Sequence, residues 1–124
     1  PVTGTIIRSF ALPTTNCAGL AWDGRSLWVA SGVTDLIYQL DPATGTVIRS
    51  FATPASNNQG LTFDGRTLWA ADRVTDLIYQ VDIETGTVIR SFATPSVEPG
   101  NLAWDGRCLW IVGVTTRLIY QLSV

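Results

Sequence analysis

The sequence contains no histidine or methionine, and its basic residues are eight arginines without a lysine. Without histidine it cannot form a Ser-His-Asp triad, a Cys-His pair or a histidine-ligated metal site. Without lysine it cannot hold a carbonyl substrate as a lysine Schiff base. The formal net charge is −2, so the basic surface of a nucleic-acid-binding domain is missing as well. We therefore expect no nucleic-acid partner, no metal and no cofactor.

Charged residues and long apolar runs are both scarce. Only 15% of the residues are charged, whereas 46% are apolar, which predicts sheets that are buried on both faces and favours association with another chain. No apolar run approaches the ~18 residues of a membrane span, and no signal or transit segment is visible, so we expect no membrane partner. The compartment stays open. The two cysteines form no Cys-x-x-Cys pair, and we interpret Cys17 and Cys108 as free thiols in place of small residues.

The chain repeats itself every 41 residues. The segment GT[IV]IRSF begins at Gly4, Gly45 and Gly86, and both the Asp-Gly-Arg turn and the LIYQ segment recur with the same step. A period near 40 with four strand-like segments is typical of a β-propeller blade. The sequence therefore predicts an all-β chain in which residues 1–124 form three blades, with repeats over 4–44, 45–85 and 86–124.

Each repeat contains four predicted strands. In the first passage these cover residues 5–10, 20–22, 25–30 and 36–40, rich in β-branched and aromatic residues and separated by turn signals. The pair Asp23-Gly24 predicts a type I′ hairpin turn, and Gly45 suits a left-handed position in the next turn. By analogy with known propellers, the strand at 20–22 is innermost and the TIIRSF or TVIRSF segment is outermost.

The repeat is offset from the blade. On this assignment the chain starts with an outer strand at residues 5–10, and its third blade has no outer strand of its own. Propellers typically need 4–8 blades to close. We therefore predict a six-bladed ring made of two chains, in which residues 5–10 of each chain complete the third blade of the other. A nine-bladed trimer and a fragment of a longer chain are the alternatives.

Candidate ligand residues lie in loops that differ between the repeats. These loops cover residues 14–19, 55–60 and 96–101 before the inner strands and residues 31–35, 72–76 and 113–117 after the second strands, whereas the turns at the other end are nearly constant. Function tends to reside on loops held by a rigid scaffold. The alternative interpretation is that these are ordinary solvated loop residues, whose sequences diverged after the repeat was duplicated. The candidates are Asn16, Asp35, Asn57, Asn58, Gln59, Asp72, Arg73, Asp76, Glu98 and Arg117.

Two groups of residues allow competing interpretations. The repeated aromatic side chains could stack sugars, but their large apolar area favours a core between adjacent blades: Trp22, Trp28, Phe63, Trp69, Trp104 and Trp110. Asp35 and Asp76 recur at one blade position and could gather around the channel. Arg117 replaces the carboxylate in the third repeat, which weakens a calcium ring and favours an Asp–Arg pair.

The pattern L-x-[WF]-D-G-R-x-L-W, followed by L-I-Y-Q-[LV]-D-x-x-T-G-x-V-I-R-S-F, covers the whole chain. It resembles the repeat of bacterial and archaeal propellers of the YVTN, NHL-like and glutamine-cyclotransferase-like groups. The resemblance implies the propeller fold, but fold does not fix function. Cyclotransferase-like enzymes would bring acidic catalytic residues, and none matches a motif here. Propeller lyases related to streptogramin inactivation rely on a histidine that this chain lacks.

Three hypotheses on function follow. The first is a self-assembling binding or scaffold module without a catalytic site, whose ligand is a small molecule or a glycan held by the variable loops. The second is a hydrolase, cyclotransferase or lyase-like enzyme that uses carboxylates at the channel mouth. The third follows from the near-identity of the repeats, which indicates a recently amplified or deliberately built propeller without a selected ligand.

Overall fold

The computed structural model describes residues 4–53, 58–95 and 98–124, with the backbone alone at positions 58 and 59. Within these ranges the regular structure consists of strands, and no helix is present that could cross a membrane. The strands are β1 Cys17–Trp22, β2 Leu27–Ser31, β3 Leu36–Leu40, β4 Val47–Ala52, β5 Asn58–Phe63, β6 Thr67–Asp72, β7 Leu77–Asp82, β8 Val88–Ala93, β9 Pro99–Trp104, β10 Leu109–Gly113 and β11 Leu118–Leu122.

The strands form three antiparallel sheets, each made from one repeat. The orders are β1-β2-β3-β4, β5-β6-β7-β8 and β9-β10-β11, and we name these sheets the first, second and third blade. The register repeats as well, since Trp28 pairs with Gln39, Trp69 with Gln80 and Trp110 with Gln121. The predicted blade with strands in chain order is therefore confirmed, and the third sheet holds three strands among the described residues.

The inner strands lie side by side at the blade edges that face one another. A β-carbon added at Gly19 would lie 2.8 Å from Leu61 Cβ, and one added at Gly60 would lie 2.6 Å from the Gly100 carbonyl oxygen. Only glycine allows so close an approach of two backbones. These two glycines therefore hold β1 against β5 and β5 against β9.

Apolar side chains fill the space between adjacent blades. Trp28 and Trp69 are fully buried there, which confirms the predicted aromatic core at these two positions. Trp22 differs, because 53% of its side chain is exposed on the outer face of the first blade, where this chain places no further blade. The first core consists of Ala21, Trp28, Ala30, Ile37, Leu61, Leu68, Ala70, Tyr79 and Val81, and the second of Trp69, Ala71, Ile78, Leu102, Leu109 and Ile111.

The Asp-Gly-Arg hairpin differs from the predicted type I′ turn. Only Gly24 has a positive φ, at 95°, and the Asp23 N–H donates to the Ser26 carbonyl at 3.2 Å. The two central residues are thus Gly24 and Arg25, with the sign pattern of a type II′ turn, which has glycine first. Asp23 precedes the turn and acts through its side chain. Gly45 has a φ of 77°, so its predicted left-handed conformation is confirmed.

Residues 5–10 form no strand in the described chain, although their sequence matches β4 and β8. A strand needs a hydrogen-bonded neighbour, and none of the three sheets of the described residues includes this segment. The segment nevertheless lies against the first blade. The Phe10 ring contacts Gly45 in the same way that the Phe51 ring contacts Gly86 one repeat later.

Candidate functional site

Asn16 and Glu98 occupy the same position of the first and third repeats, and both shape their loops through the backbone. Their φ angles are 57° and 53°. The Asn16 carbonyl accepts a hydrogen bond from Gly32 at 3.1 Å, and the Glu98 carbonyl accepts one from Val114 at 3.3 Å. Asn57, predicted at the equivalent position of the second repeat, lies outside the described residues, as do the side chains of Asn58 and Gln59.

Asp72 is a structural residue of its loop. It is fully buried, and its Oδ1 accepts hydrogen bonds from the backbone N–H groups of Val74 at 2.8 Å and Thr75 at 2.9 Å. In the first blade the Ser31 hydroxyl accepts the equivalent pair of bonds from Val33 and Thr34. Side chains that bond the backbone two or three residues ahead stabilise tight turns. The geometry therefore assigns Asp72 to the turn and leaves it inaccessible to a ligand.

Asp35, Asp76 and Arg117 share one backbone conformation, with φ angles of 58°, 57° and 60°. The Asp35 carbonyl accepts a hydrogen bond from Thr53, just beyond β4, and the Asp76 carbonyl accepts one from Thr94, just beyond β8, both at 2.9 Å. These residues thus lie beside the outer strands β4 and β8, away from the inner strands β1, β5 and β9. The position does not favour a carboxylate ring around the channel.

Three of the predicted loop residues meet between the second and third blades. The Arg73 guanidinium forms a salt bridge of 3.2 Å with Glu98, and the Glu98 N–H donates to Asp76 Oδ1 at 3.1 Å. The Thr115 hydroxyl also donates to Glu98, at 3.0 Å. Both side chains of the salt bridge are partly exposed, at 34% for Arg73 and 51% for Glu98, so the pair contributes little stability. In the part of the chain that the structure describes, no cluster of three potential metal ligands occurs.

The sequence interpretation missed a network of side chains at the opposite end of the blades, which starts at Asp23. Asp23 Oδ1 accepts the backbone N–H groups of Arg25 at 2.8 Å and Ser26 at 2.6 Å, while Oδ2 accepts the Trp28 indole N–H at 2.7 Å. Asp64 and Asp105 make the same contacts to Trp69 and Trp110, at 2.8 and 2.7 Å. The signal was present in the recurrence of Asp with Trp five residues later.

These hydrogen bonds determine how the three carboxyl groups titrate. Burial of the Asp23 carboxyl raises its pKa, but the bonds from Trp28, Ser26 and Arg25 outweigh burial and hold the pKa below its ordinary value of 3.8. Burial also raises the pKa of Asp64, but hydrogen bonds, led by that from the Thr67 N–H, outweigh burial and lower the pKa. At Asp105 the bond from Trp110 is the main cause of the lowered pKa.

An arginine and a phenylalanine of the outer strand complete the network. The Arg49 guanidinium lies 5.5 Å from the centre of the Trp28 ring, and its Nε donates to Gln39 Oε1 at 2.9 Å. The Phe51 ring lies 5.8 Å from that of Trp28. The second blade repeats this arrangement with Trp69, and the residues there are Gln80, Arg90 and Phe92. Arg49 also reaches the next blade, since it donates to the carbonyl oxygens of Ile83 and Glu84.

A cavity of about 540 Å³ opens beside this network, between the first and second blades. Its polar lining includes Asp23, Arg25, Gln39, Asp41, Arg49 and Glu84. It therefore lies at the constant-turn end of the blades, and the predicted ligand face is at the other end. The side chains of Asp23, Gln39 and Arg49 already form hydrogen bonds with other lining residues.

The third blade has the aspartate, tryptophan and glutamine of the network, but it lacks the arginine and phenylalanine of an outer strand among the described residues. Trp110 bonds Asp105 and pairs with Gln121, but it is only half-buried, and no arginine or phenylalanine covers it among the described residues. Ile119 is 71% exposed, although the equivalent Ile37 and Ile78 are fully buried. A shallow cavity of about 210 Å³ on this face is lined by Asn101, Leu102, Ala103, Trp110, Ile111, Val112 and Ile119.

Arg8 and Phe10 occupy the repeat positions of Arg49 and Phe51, and they precede the first blade. Arg8 corresponds to Arg49, and its Nη1 donates to the carbonyl oxygens of Pro42 and Ala43, both at 3.4 Å. Pro42 and Ala43 correspond to Ile83 and Glu84, the carbonyl partners of Arg49. Residues 5–10 therefore contact the first blade through the same groups by which β4 contacts the second.

Comparison with known proteins supports the fold. No family model and no curated protein sequence matches the chain. Among solved structures, it is similar to the glutaminyl cyclase of Myxococcus xanthus, with a TM-score of 0.74 and 11% identity over 86% of this chain and 47% of that one. It is also similar to the WD40 β-propeller domain of Doa1, with a TM-score of 0.63 and 15% identity over 79% of this chain and 33% of that one. The WD40 repeats of RRP9 are similar as well, with a TM-score of 0.63 and 13% identity over 83% of this chain and 35% of that one.

These similarities establish a β-propeller-like fold, as the repeat predicted, and at such low identity they carry no activity. The chain spans less than half the length of each of these structures.

Proposed function

We propose that the chain is a self-assembling propeller module with a scaffold or binding role, and that a second copy closes its ring. The observation that carries the proposal is a pair of open apolar faces at opposite ends of the blade array. Leu20, Val112 and Ile119 are exposed on these faces, whereas the residues at the same repeat positions between two blades are buried. Large exposed apolar patches mark association surfaces.

The first open face belongs to the first blade. Leu20 is 63% exposed, whereas the equivalent Leu61 and Leu102 are 1% and 6% exposed, because each packs against the preceding blade. Trp22 is exposed beside Leu20. The second open face belongs to the third blade, where Val112 and Ile119 are exposed. The two faces therefore correspond to the two sides of one inter-blade contact and are complementary.

Two copies would contribute six blades, within the range of 4–8 that propellers typically use. A two-fold ring covers both open faces of both chains, so that no large apolar patch of these faces stays exposed. Two-fold symmetry is also the commonest closed arrangement. The match to less than half of the cyclase chain is consistent with a ring that is about twice as large as this chain.

The native mass tests the proposal. We expect light scattering to give twice the 13.4 kDa of one chain. The double variant Val112→Asp/Ile119→Asp should shift the particle to one chain, because both charges would lie in the buried contact. Val74→Asp is the matched control, since Val74 is an exposed valine in a second-blade loop outside both faces. A wild-type particle of one chain at all concentrations, or one of three chains, would contradict the two-chain ring.

For the binding role, the ligand face stays at the variable loops, with a small molecule or a glycan as the ligand. Asp76, Arg73 and Glu98 form the polar group that supports this assignment, because they converge between two blades. We expect binding on a glycan array or in a small-molecule thermal-shift screen to be lost in Arg73→Ala. Arg66→Ala, in an exposed turn of the same blade at the other end, should bind normally. Equal loss in both variants would place the ligand elsewhere.

A further inference from the structure

We propose that the third blade carries a preformed receptor for an Arg-x-Phe segment, and that its occupant is Arg8 and Phe10 of a second copy. This inference rests on the proposed ring and names the side chains that recognise the partner. Trp110 and Gln121 form the receptor. The apolar faces then supply contact area, while the Arg-x-Phe pair supplies register and specificity.

The two complete blades show what such a receptor binds. Residues two apart in a strand point to the same face, so Arg49 and Phe51 both reach Trp28 from the outer strand. Arg90 and Phe92 reach Trp69 in the same way, with distances of 5.4 Å for the guanidinium and 6.0 Å for the ring. The arginine and the phenylalanine contact the same indole ring, and a one-residue shift of the outer strand would move both side chains to the opposite face.

The receptor half is in place in the third blade. The Trp110 indole is fixed by its bond to Asp105, and its strand pairs with Gln121 in the register of the other blades. Among the described residues, the Gln121 side chain makes no hydrogen bond, whereas the equivalent Gln39 accepts one from Arg49. The outer edge of β11 is also unpaired within the described chain. A segment with an arginine and a phenylalanine two residues apart would satisfy all these groups.

Arg8 and Phe10, the segment that would bind the receptor, are positioned by contacts within their own chain. Arg8 is bonded to the Pro42 and Ala43 carbonyl oxygens, and Phe10 rests on Gly45. Arg49 makes the corresponding carbonyl contacts while its guanidinium lies over Trp28, so one arginine can serve both blades at once. Arg8 would therefore bridge its own first blade and the partner's third blade. Because the segment already lies where the contact needs it, the ring forms by docking without exchange of a folded strand.

Sedimentation at several concentrations measures the contribution of each side chain. We expect Arg8→Ala and Phe10→Ala each to weaken self-association about tenfold, through loss of the cation–π, hydrogen-bond and ring contacts. Arg8→Lys should not restore it, because an ammonium group lacks the planar fork of donors. Arg66→Ala, an exposed arginine outside the contact, is the control and should associate normally.

A double-mutant cycle separates recognition from the effect of Arg8 on its own chain. If Arg8 bonds the partner's Gln121, then Arg8→Ala and Gln121→Ala should be strongly non-additive. Additive effects, or a two-chain particle of unchanged affinity in Arg8→Ala/Phe10→Ala, would overturn the Arg-x-Phe inference and leave the ring intact.

A peptide of residues 4–11 tests the receptor directly. It should bind Val112→Asp/Ile119→Asp chains poorly, and it should inhibit association of the wild type. The same peptide with Ser9 and Phe10 exchanged should not compete, because the ring then points to the opposite face. If the wild type proves to be a single chain, the proposed ring fails. In that case, peptide binding that depends on its Arg and Phe supports the receptor, and absence of binding overturns it.

Discussion

The Phe10 ring lies against Gly45 so closely that a β-carbon at Gly45 would overlap it. This contact joins a segment outside the strands to the outer turn of the first blade. The equivalent contact, of Phe51 with Gly86, joins two complete blades. Glycine serves two purposes here, since the position has a φ of 77° and also admits an aromatic ring.

We expect Gly45→Ala to destabilise the chain by about 2–3 kcal/mol, with about 1 kcal/mol from the positive φ and the rest from displacement of Phe10. Gly24→Ala is the matched control, because Gly24 has a φ of 95° and nothing within 4 Å of an added β-carbon. It should cost only the conformational part. Urea unfolding measures both free energies, and equal losses would show that the Phe10 contact contributes nothing.

The Asp–Trp hydrogen bonds predict a loss of stability in acid. The pKa of Asp64 is lowered in the folded chain, so its carboxylate stabilises the fold above its ordinary pKa of 3.8. This contribution should disappear as the pH falls below about 4, through the folded-state pKa. The urea midpoint of the wild type should therefore drop steeply there. Asp64→Asn should be less stable at neutral pH and show a shallower acid dependence, whereas an unchanged slope would exclude this carboxyl as a cause.

Asp72 and Asp35 should respond very differently to the same substitution. Asp72→Ala removes a buried side chain that accepts hydrogen bonds from the Val74 and Thr75 N–H groups, and it should cost about 2 kcal/mol. Asp35→Ala should cost much less, because Asp35 accepts hydrogen bonds from Thr53 through its backbone carbonyl. Asp72→Ser should recover much of the loss, since Ser31 supports the same turn in the first blade. Equal effects of Ala and Ser at position 72 would contradict the turn role.

The repeat made the fold predictable, whereas the side-chain network was not. A fixed step of 41 residues and alternating apolar positions determine the strands, their order and the buried Trp28 and Trp69. The role of Asp23 was missed because turn geometry alone explains an Asp-Gly pair. The sequence does not distinguish an aspartate that only forms a turn from one that also accepts a hydrogen bond from an indole N–H. The buried state of Asp72 was missed for a similar reason, since loop position alone predicts solvent exposure.

The variable loops show a second limit of sequence reasoning. Asp35 and Asp76 were candidates because their loops differ between the repeats. Whether a loop residue lies near the inner or the outer strands of a blade depends on which strand its loop adjoins. Thr53 and Thr94 place both residues beside outer strands. Contacts between blades, such as that of Arg73 with Glu98, link residues 25 positions apart and follow only from stacking of the sheets.

Cys108 offers a final test, because it is the point where the third network departs from the other two. In the first and second blades a hydroxyl accepts a hydrogen bond from the glutamine amide, with Ser26 2.9 Å from Gln39 and Thr67 3.0 Å from Gln80. Cys108 occupies the equivalent position next to Gln121, and a thiol is a weak acceptor. Gln121 is therefore held less firmly for an incoming arginine.

We expect Cys108→Ser to restore this bond and to strengthen self-association by about 1 kcal/mol, or roughly fivefold in the dissociation constant. Cys108→Ala removes the acceptor altogether and serves as the control, which should not strengthen association. Sedimentation equilibrium distinguishes the two variants. An equal change in Ser and Ala would show that side-chain size at position 108, and not the orientation of Gln121, controls the contact.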